Sequence, residues 1–165
     1  MNNYPELYKT LQVLSEFVKE DYQKKLKELR PHQNGKSYDT YASGKLYNST
    51  NCIVNETPNG FQVYFSAIDY WINVENGRKP GKGIPLNVLD KWVIDRNIQP
   101  YDGMSENSMK YLINRSIKQN GIKPQPMLRE LQDNLLTDWG KLLQDAFEND
   151  MKNIVKDKIK SVLNT

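Results

Sequence analysis

Two long helical periods bracket a short stretch of strand periodicity, and that order restricts this chain to an α+β architecture. From Pro5 to about Arg30, Leu7, Leu11, Leu14, Val18, Tyr22, Leu26 and Leu29 recur every three or four residues with charges between them. That spacing puts apolar side chains on one helical face. Pro5 suits the first turn, where its missing N–H costs no intrahelical bond. Pro31 and Asn34-Gly35 stop the helix and open a polar loop whose tip is expected to be mobile. In the middle, Cys52-Ile53-Val54 precedes Pro58-Asn59-Gly60, after which Phe61, Val63 and Phe65 alternate with Gln62, Tyr64 and Ser66. This predicts a β-hairpin with Phe61, Val63 and Phe65 toward the core. From Met127, residues Leu128, Leu131, Leu135, Trp139, Leu142, Ala146, Ile154 and Ile159 keep a helical period, interrupted in propensity only by Gly140. The tail is one long helix, or two.

The segments between are shorter. Thr40 to Thr50 reads as a turn or short helix carrying Ala42, Leu46 and Tyr47, and Tyr70-Trp71-Ile72 with Val74 as a strand or short helix. After Pro85 a helix is predicted with Leu86, Leu89, Trp92 and Val93 on one face, ending near Asn97. Ser105 is the expected N-cap of the next, which should bury Met109, Leu112, Ile113 and Ile117 and stop at Gly121 before an extended link through Pro124 and Pro126. The expected fold is α+β: a small antiparallel β-sheet, the hairpin plus one or two strands, packed against amphipathic helices, with a long C-terminal helix. At 165 residues one core is enough. Residues 1–136 are read as the α+β domain and 137–165 as its C-terminal helical extension. An unbroken tail helix, rising about 1.5 Å per residue, would outrun such a domain and leave part of its apolar stripe for a partner; a tail broken near Gly140 and folded back would not.

Groups for chemistry are scarce. The single cysteine, Cys52, excludes an internal disulfide, and with the single histidine, His32, it is too few for a zinc site. His32 lies in a Pro/Asn/Gly loop with nothing to orient it as a base, and Cys52 opens an apolar strand and reads as a small buried hydrophobe. Gly77-Arg78-Lys79-Pro80-Gly81-Lys82-Gly83 looks like a phosphate loop but has the wrong spacing, since a P-loop needs four residues between its glycines and Ser or Thr after its lysine. Asp69 and Glu75 lack the third acid of a metal-dependent nuclease and read as surface carboxylates. The chain is therefore expected not to be an enzyme and to carry no cofactor or metal. Its 23 basic and 20 acidic residues are interleaved, so the net +3 implies no long-range field for nucleic acid. No run approaches the roughly 18 consecutive apolar residues of a membrane span, and no membrane partner is expected. Ten tyrosines against four phenylalanines favour amphipathic rings of the kind used in protein contacts.

Four short segments, in order, resemble the tail-component or head–tail joining proteins of tailed bacteriophages, the tail-completion or neck proteins. After the N-terminal helix comes Ser43-Gly44-Lys45-Leu46-Tyr47-Asn48-Ser49, similar to the family's Ser-Gly-x-Leu-x-x-Ser. After the hairpin, Tyr70 to Pro80 is similar to Tyr-x-x-x-Val-Glu-x-Gly-x-x-Pro, with Val74, Glu75, Gly77 and Pro80 in register. A helix with a central tryptophan follows, matched by Trp92, and then Gly121 to Leu128 is similar to Gly-Ile-x-Pro-x-Pro-hydrophobic-Leu. The likeness spans roughly Leu7 to Leu136. The chain departs from it at Met127, where phenylalanine is usual, and in the helical extension past Asp138.

The resemblance implies a homo-oligomeric ring in the virion neck or tail, made in the bacterial host cytoplasm. Such a ring sits between portal or adaptor-side proteins and tail proteins, with DNA passing near its channel. The interface candidates are Tyr70, Trp71, Glu75, Arg78, Lys79 and Lys82, with Glu75 pairing to a basic residue across a subunit boundary. The alternative is a nucleic-acid-binding accessory protein using Lys79, Lys82 and the lysines of the last helix.

Overall fold

The computed structural model describes residues 4–31 and 37–163. His32, Asn34 and Gly35, the loop tip expected to be mobile, lie outside the described residues. The architecture is α+β: helices α1 (Pro5–Lys27), α2 (Lys45–Ser49), α3 (Trp71–Asn76), α4 (Leu86–Asp95), α5 (Glu106–Asn120), α6 (Met127–Asp138) and α7 (Gly140–Leu163), with strands β1 (Arg30–Pro31), β2 (Ser37–Tyr38), β3 (Asn51–Thr57) and β4 (Gly60–Ser66). The strands form two separate antiparallel pairs, β1 with β2 and β3 with β4. Among the described residues the hairpin gains no extra strand, and the undecided Tyr70 to Val74 stretch is helical from Trp71 on. No described helix is long and apolar enough to cross a membrane.

Contacts divide the chain into two compact units: residues 1–22, 50–66 and 128–165, and residues 23–49 with 67–127. In the first, Leu14 and Val18 of α1 and Cys52 of β3 form a buried cluster, against which Leu11, Phe65, Leu128, Leu135, Trp139 and Leu143 pack. Tyr22 is fully buried, its ring edge-on to Phe65 at 4.8 Å. The hairpin register pairs Cys52 with Phe65, Val54 with Val63 and Glu56 with Phe61 across the two-residue turn Pro58-Asn59. The expected inner face is thus correct in register, but its burial fades toward the turn. Phe65 joins the cluster and Phe61 meets the Tyr8 ring at 5.5 Å, whereas Val63 is 42% exposed.

The tail is two helices. A turn at Trp139 separates α6 from α7, although backbone bonds Trp139 N–H to Leu135 C=O and Leu143 N–H to Trp139 C=O, each 2.9 Å, carry the helical ladder up to and out of it. Helix α7 then packs on α1: Phe17 meets Trp139 at 5.5 Å and Tyr4 stacks on Phe147 at 5.7 Å. Gly140 is helical, and a Cβ there would meet nothing within 4 Å. Gly140→Ala is therefore expected to stabilise the protein by about 0.5–1 kcal/mol, through lower backbone entropy of the unfolded chain. Denaturant unfolding of the two proteins checks this.

The second unit has its own core, Leu89 and Val93 of α4 with Met109 of α5, joined by Ile84, Ile98, Met104 and Ile113. Ser105 caps α5 as expected, its hydroxyl accepting the Ser108 N–H at 3.2 Å, and Gly121 ends the helix with a positive φ. Leu86, Trp92 and Leu112, expected on buried faces, are instead exposed. The α4/α5 core is built on Leu89, Val93 and Met109, and residues at the edge of the apolar stripe stay outside. Arg96, just past α4, holds the incoming chain by a fork: one guanidinium nitrogen donates to the Asp39 carboxylate at 2.6 Å and another to the Asp39 carbonyl at 2.7 Å.

Candidate functional site

The second and fourth segments of the resemblance, Tyr70 to Pro80 and Gly121 onward, lie side by side in the second unit. Helix α3 ends at Gly77 and α5 at Gly121, and the strands of chain that leave them pair with each other. Arg78 N–H donates to the Ile122 carbonyl at 2.9 Å, and Ile122 N–H returns a bond to the Arg78 carbonyl at 2.7 Å. Gly81 N–H reaches the Lys118 carbonyl and Gln125 N–H the Val74 carbonyl, both at 2.9 Å. Both glycines adopt positive φ with strongly negative ψ, 67° and −164° at Gly77 and 71° and −153° at Gly121. Side chains are essentially excluded from that region. A Cβ on Gly121 would overlap the Arg78 carbonyl oxygen, and one on Gly77 the Ile122 carbonyl oxygen and Pro124 nitrogen. Each glycine thus makes room for the backbone that follows the other.

Around this bridge the interface candidates take different positions. Arg78 folds back on its own loop, its guanidinium donating to the carbonyls of Lys82 at 2.7 Å and Gly83 at 3.2 Å. Asn114 clamps the loop's end, accepting from Ile84 N–H at 2.8 Å and donating to the Ile84 carbonyl at 3.1 Å. The 78–83 segment is therefore held within the chain itself and is not a free cationic arm. Glu75 is buried, 7% exposed, on the inner side of α3. Trp71 is half-buried, while Tyr70, Lys79 and Lys82 are exposed. Partial burial pushes the Tyr70 phenol up, helped by nearby Asp95 and opposed by a hydrogen bond from the Leu46 backbone. Of the six candidates, Tyr70, Lys79 and Lys82 present groups to solvent.

The earlier segment, Ser43 to Ser49, builds a second construction in the same unit. Gly44 has φ 73°, and a Cβ there would lie 2.7 Å from the Tyr41 hydroxyl. Tyr41 and Tyr47 stand edge to face at 5.6 Å, with the Lys27 ammonium 4.2 Å from the Tyr47 ring centre and 5.4 Å from that of Tyr41. Such a cation held by two rings is worth about 0.5–1 kcal/mol at an exposed site. Ser49 accepts the Ile68 N–H at 3.0 Å and donates to the Leu46 carbonyl at 3.0 Å, fastening α2 to the chain that enters α3. Lys45 lies against Lys91, whose positive charge lowers the Lys45 pKa, with Asp95 pulling the other way.

Among the described residues no three His, Cys, Asp or Glu side chains gather into a group that could hold a metal ion. Asp69 is exposed and Glu75 buried. Cys52 is buried as expected, and burial first, then the Glu16 carboxylate, pushes its thiol up. The thiolate needed for nucleophilic chemistry is disfavoured there. No protein-family model, no curated protein and no solved structure matches the chain.

Besides Glu75, sequence reading missed a second buried acid. Asp150 of α7 is 1% exposed and accepts the backbone N–H of Glu6 at 3.1 Å and of Leu7 at 2.8 Å. Tyr8 N–H bonds to the Tyr4 carbonyl, so Glu6 and Leu7 are the second and third residues of α1. Their N–H groups have no partner within the helix. A side chain more than 140 positions away supplies the cap that Tyr4 cannot. A signal was present: Asp150 stands four residues after Ala146, on the apolar face of its own helix.

Proposed function

We propose that this chain is a structural protein of a tailed-bacteriophage virion, part of the head–tail connector, neck or tail-completion ring. It acts by self-association and by docking to portal-side and tail proteins. Supporting the family reading, the two glycine-bearing segments that resemble the family's motifs form a single construction, each leaving space for the other's backbone. The observation that carries an assembly role is the apolar surface left uncovered. Ile94 is 76% exposed and Tyr101 78%, and the last three turns of α7 bear a further apolar row. Large apolar side chains left this exposed are candidates for association surfaces.

The test is composition and structure of purified particles. Mass spectrometry should find the chain in virions at a fixed ratio to the portal, and electron microscopy should place it in a ring at the head–tail junction. Deleting its gene should leave filled heads and tails unjoined. Particles that lack the chain and assemble normally without it would overturn the reading. Steeply salt-dependent binding of duplex DNA by the isolated chain would favour the nucleic-acid role instead.

A further inference from the structure

The chain holds four Asn-Gly pairs, Asn34-Gly35, Asn59-Gly60, Asn76-Gly77 and Asn120-Gly121, and the last three lie among the described residues. An asparagine before glycine is open to attack by its own backbone. The glycine amide nitrogen reaches the side-chain carbonyl carbon readily because no Cβ stands beside it and the glycine backbone turns freely. In a folded chain three conditions govern this attack. The glycine N–H must be free of a hydrogen bond, the carboxamide must be free to turn, and water must reach it.

The three pairs differ on these conditions. At the end of α5, Gly121 N–H is bonded to the Ile117 carbonyl at 2.9 Å, and the Asn120 carboxamide donates to the Ser116 hydroxyl at 3.3 Å. Both reacting groups are tied. In the hairpin, Gly60 is paired with Thr57 across the turn, and its carbonyl accepts the Thr57 hydroxyl at 2.9 Å, so the residue that carries the nucleophile is held in the ladder. Asn76 is the last residue of the six-residue α3 and is exposed. Its carboxamide makes no hydrogen bond among the described residues. A helix end commonly returns the N–H of the glycine that follows to a carbonyl one turn back, as Gly121 does in α5. Gly77 N–H has no such acceptor among the described residues, and the Val74 carbonyl, within reach of a tight last turn, takes the Gln125 N–H at 2.9 Å instead.

We propose that Asn76 is a site of spontaneous deamidation, selected by the fold among these three pairs, and that its product loosens the bridge between Arg78 and Ile122. Hydroxide removes the Gly77 amide proton, and the nitrogen attacks Asn76 Cγ. The new N–Cγ bond closes a cyclic imide as the Cγ–Nδ2 bond breaks, and the leaving nitrogen takes a proton from water and departs as ammonia. Water then opens the imide at either carbonyl, giving aspartate or isoaspartate. Either product places a carboxylate two residues before Arg78, and isoaspartate also inserts a CH2 into the main chain immediately before Gly77. At Gly77 the backbone already runs so close to the Ile122 carbonyl oxygen and the Pro124 nitrogen that a Cβ would overlap them. An inserted main-chain atom there shifts Arg78 against Ile122 and strains their reciprocal bonds. The chemistry is intrinsic to the chain and does not depend on a virion role.

The test is incubation of the full chain in mildly alkaline buffer, with peptide mapping by mass spectrometry at intervals and isoaspartate scored by an isoaspartate methyltransferase. Asn76 should convert at least about fivefold faster than Asn120, whose attacking N–H must first break its bond. It should also convert faster than Asn59. In denaturant the three should react at similar rates, because the fold no longer sorts them. In the modified fraction, hydrogen exchange at the Arg78 and Ile122 amides should be faster than in the unmodified chain. Conversion of Asn120 or Asn59 as fast as Asn76 in the folded chain overturns the proposal. So does an intact Asn76 at times when the denatured chain has fully converted, or the same order of rates with and without denaturant. Unchanged exchange at Arg78 and Ile122 in the modified fraction would overturn the loosening of the bridge.

Discussion

Gly121→Ala is expected to destabilise the protein by about 3 kcal/mol or more, and it should be the most damaging glycine substitution in the chain along with Gly77→Ala. The backbone at each position lies where a side chain costs about 1–3 kcal/mol by itself. The added methyl would also overlap the Arg78 carbonyl oxygen in the first case and the Ile122 carbonyl oxygen in the second. Those carbonyls are the acceptors of the reciprocal bonds between Arg78 and Ile122, so relieving the overlap breaks the bridge. Gly103→Ala is the control: φ is also positive, at 79°, but a Cβ there meets nothing within 4 Å. Its cost in denaturant unfolding measures backbone handedness without the close approach, and should be about 1–2 kcal/mol. Because Gly77 and Gly121 serve one bridge, the double variant should cost clearly less than the sum of the singles. Equal costs at Gly121 and Gly103, or full additivity of the pair, would show that the two segments do not depend on each other.

That bridge also marks the boundary of what sequence can reveal. The features carried by local chemistry were legible. Ser105 caps α5 because a serine before a helical run bonds a nearby N–H, Gly121 ends the helix because few residues tolerate its backbone, and Pro58-Asn59 closes a two-residue turn between alternating strands. Coverage was not legible. Helical spacing shows which face of α4 or α5 is apolar, not how wide a neighbour covers it, so Trp92 and Leu112 were assigned to the interior and are exposed. At the candidate site the same limit acted in reverse. Arg78 reads as an interface cation because nothing in the sequence discloses that the Lys82 and Gly83 carbonyls satisfy its guanidinium. Glu75 read as a surface acid because burial of a carboxylate depends on groups brought from elsewhere in the chain. The break in the tail lies at Trp139, beside the one weak helix former, Gly140, but a lone glycine also occurs in continuous helices, and both forms are compatible with the sequence.

Asp150 is the sharpest case, and its removal is the second large effect expected. Asp150→Ala should cost about 3 kcal/mol. The carboxylate makes two charge-assisted bonds to backbone N–H groups at the positive end of α1, and bonds to charged groups contribute about 1.5–3 kcal/mol each in mutational series. Loss of the carboxylate leaves the Glu6 and Leu7 N–H groups without the acceptor they now share. It also removes a polar link holding α7 to the start of α1, where the aromatic contact of Tyr4 with Phe147 is partly exposed. For a chain of this length the loss corresponds to a fall in the thermal midpoint of about 6–12 °C. Asp150→Asn keeps an acceptor of the same shape without the charge and should lose about half as much. Hydrogen exchange localises the effect: the amides of Glu6 and Leu7 should exchange faster in both variants, while that of Leu89, in the core of the other unit, should change only with global stability. An alanine variant as stable as the parent, with unchanged exchange at Glu6 and Leu7, would mean that water serves those N–H groups equally well and that the burial of Asp150 has no part in joining the first helix to the last.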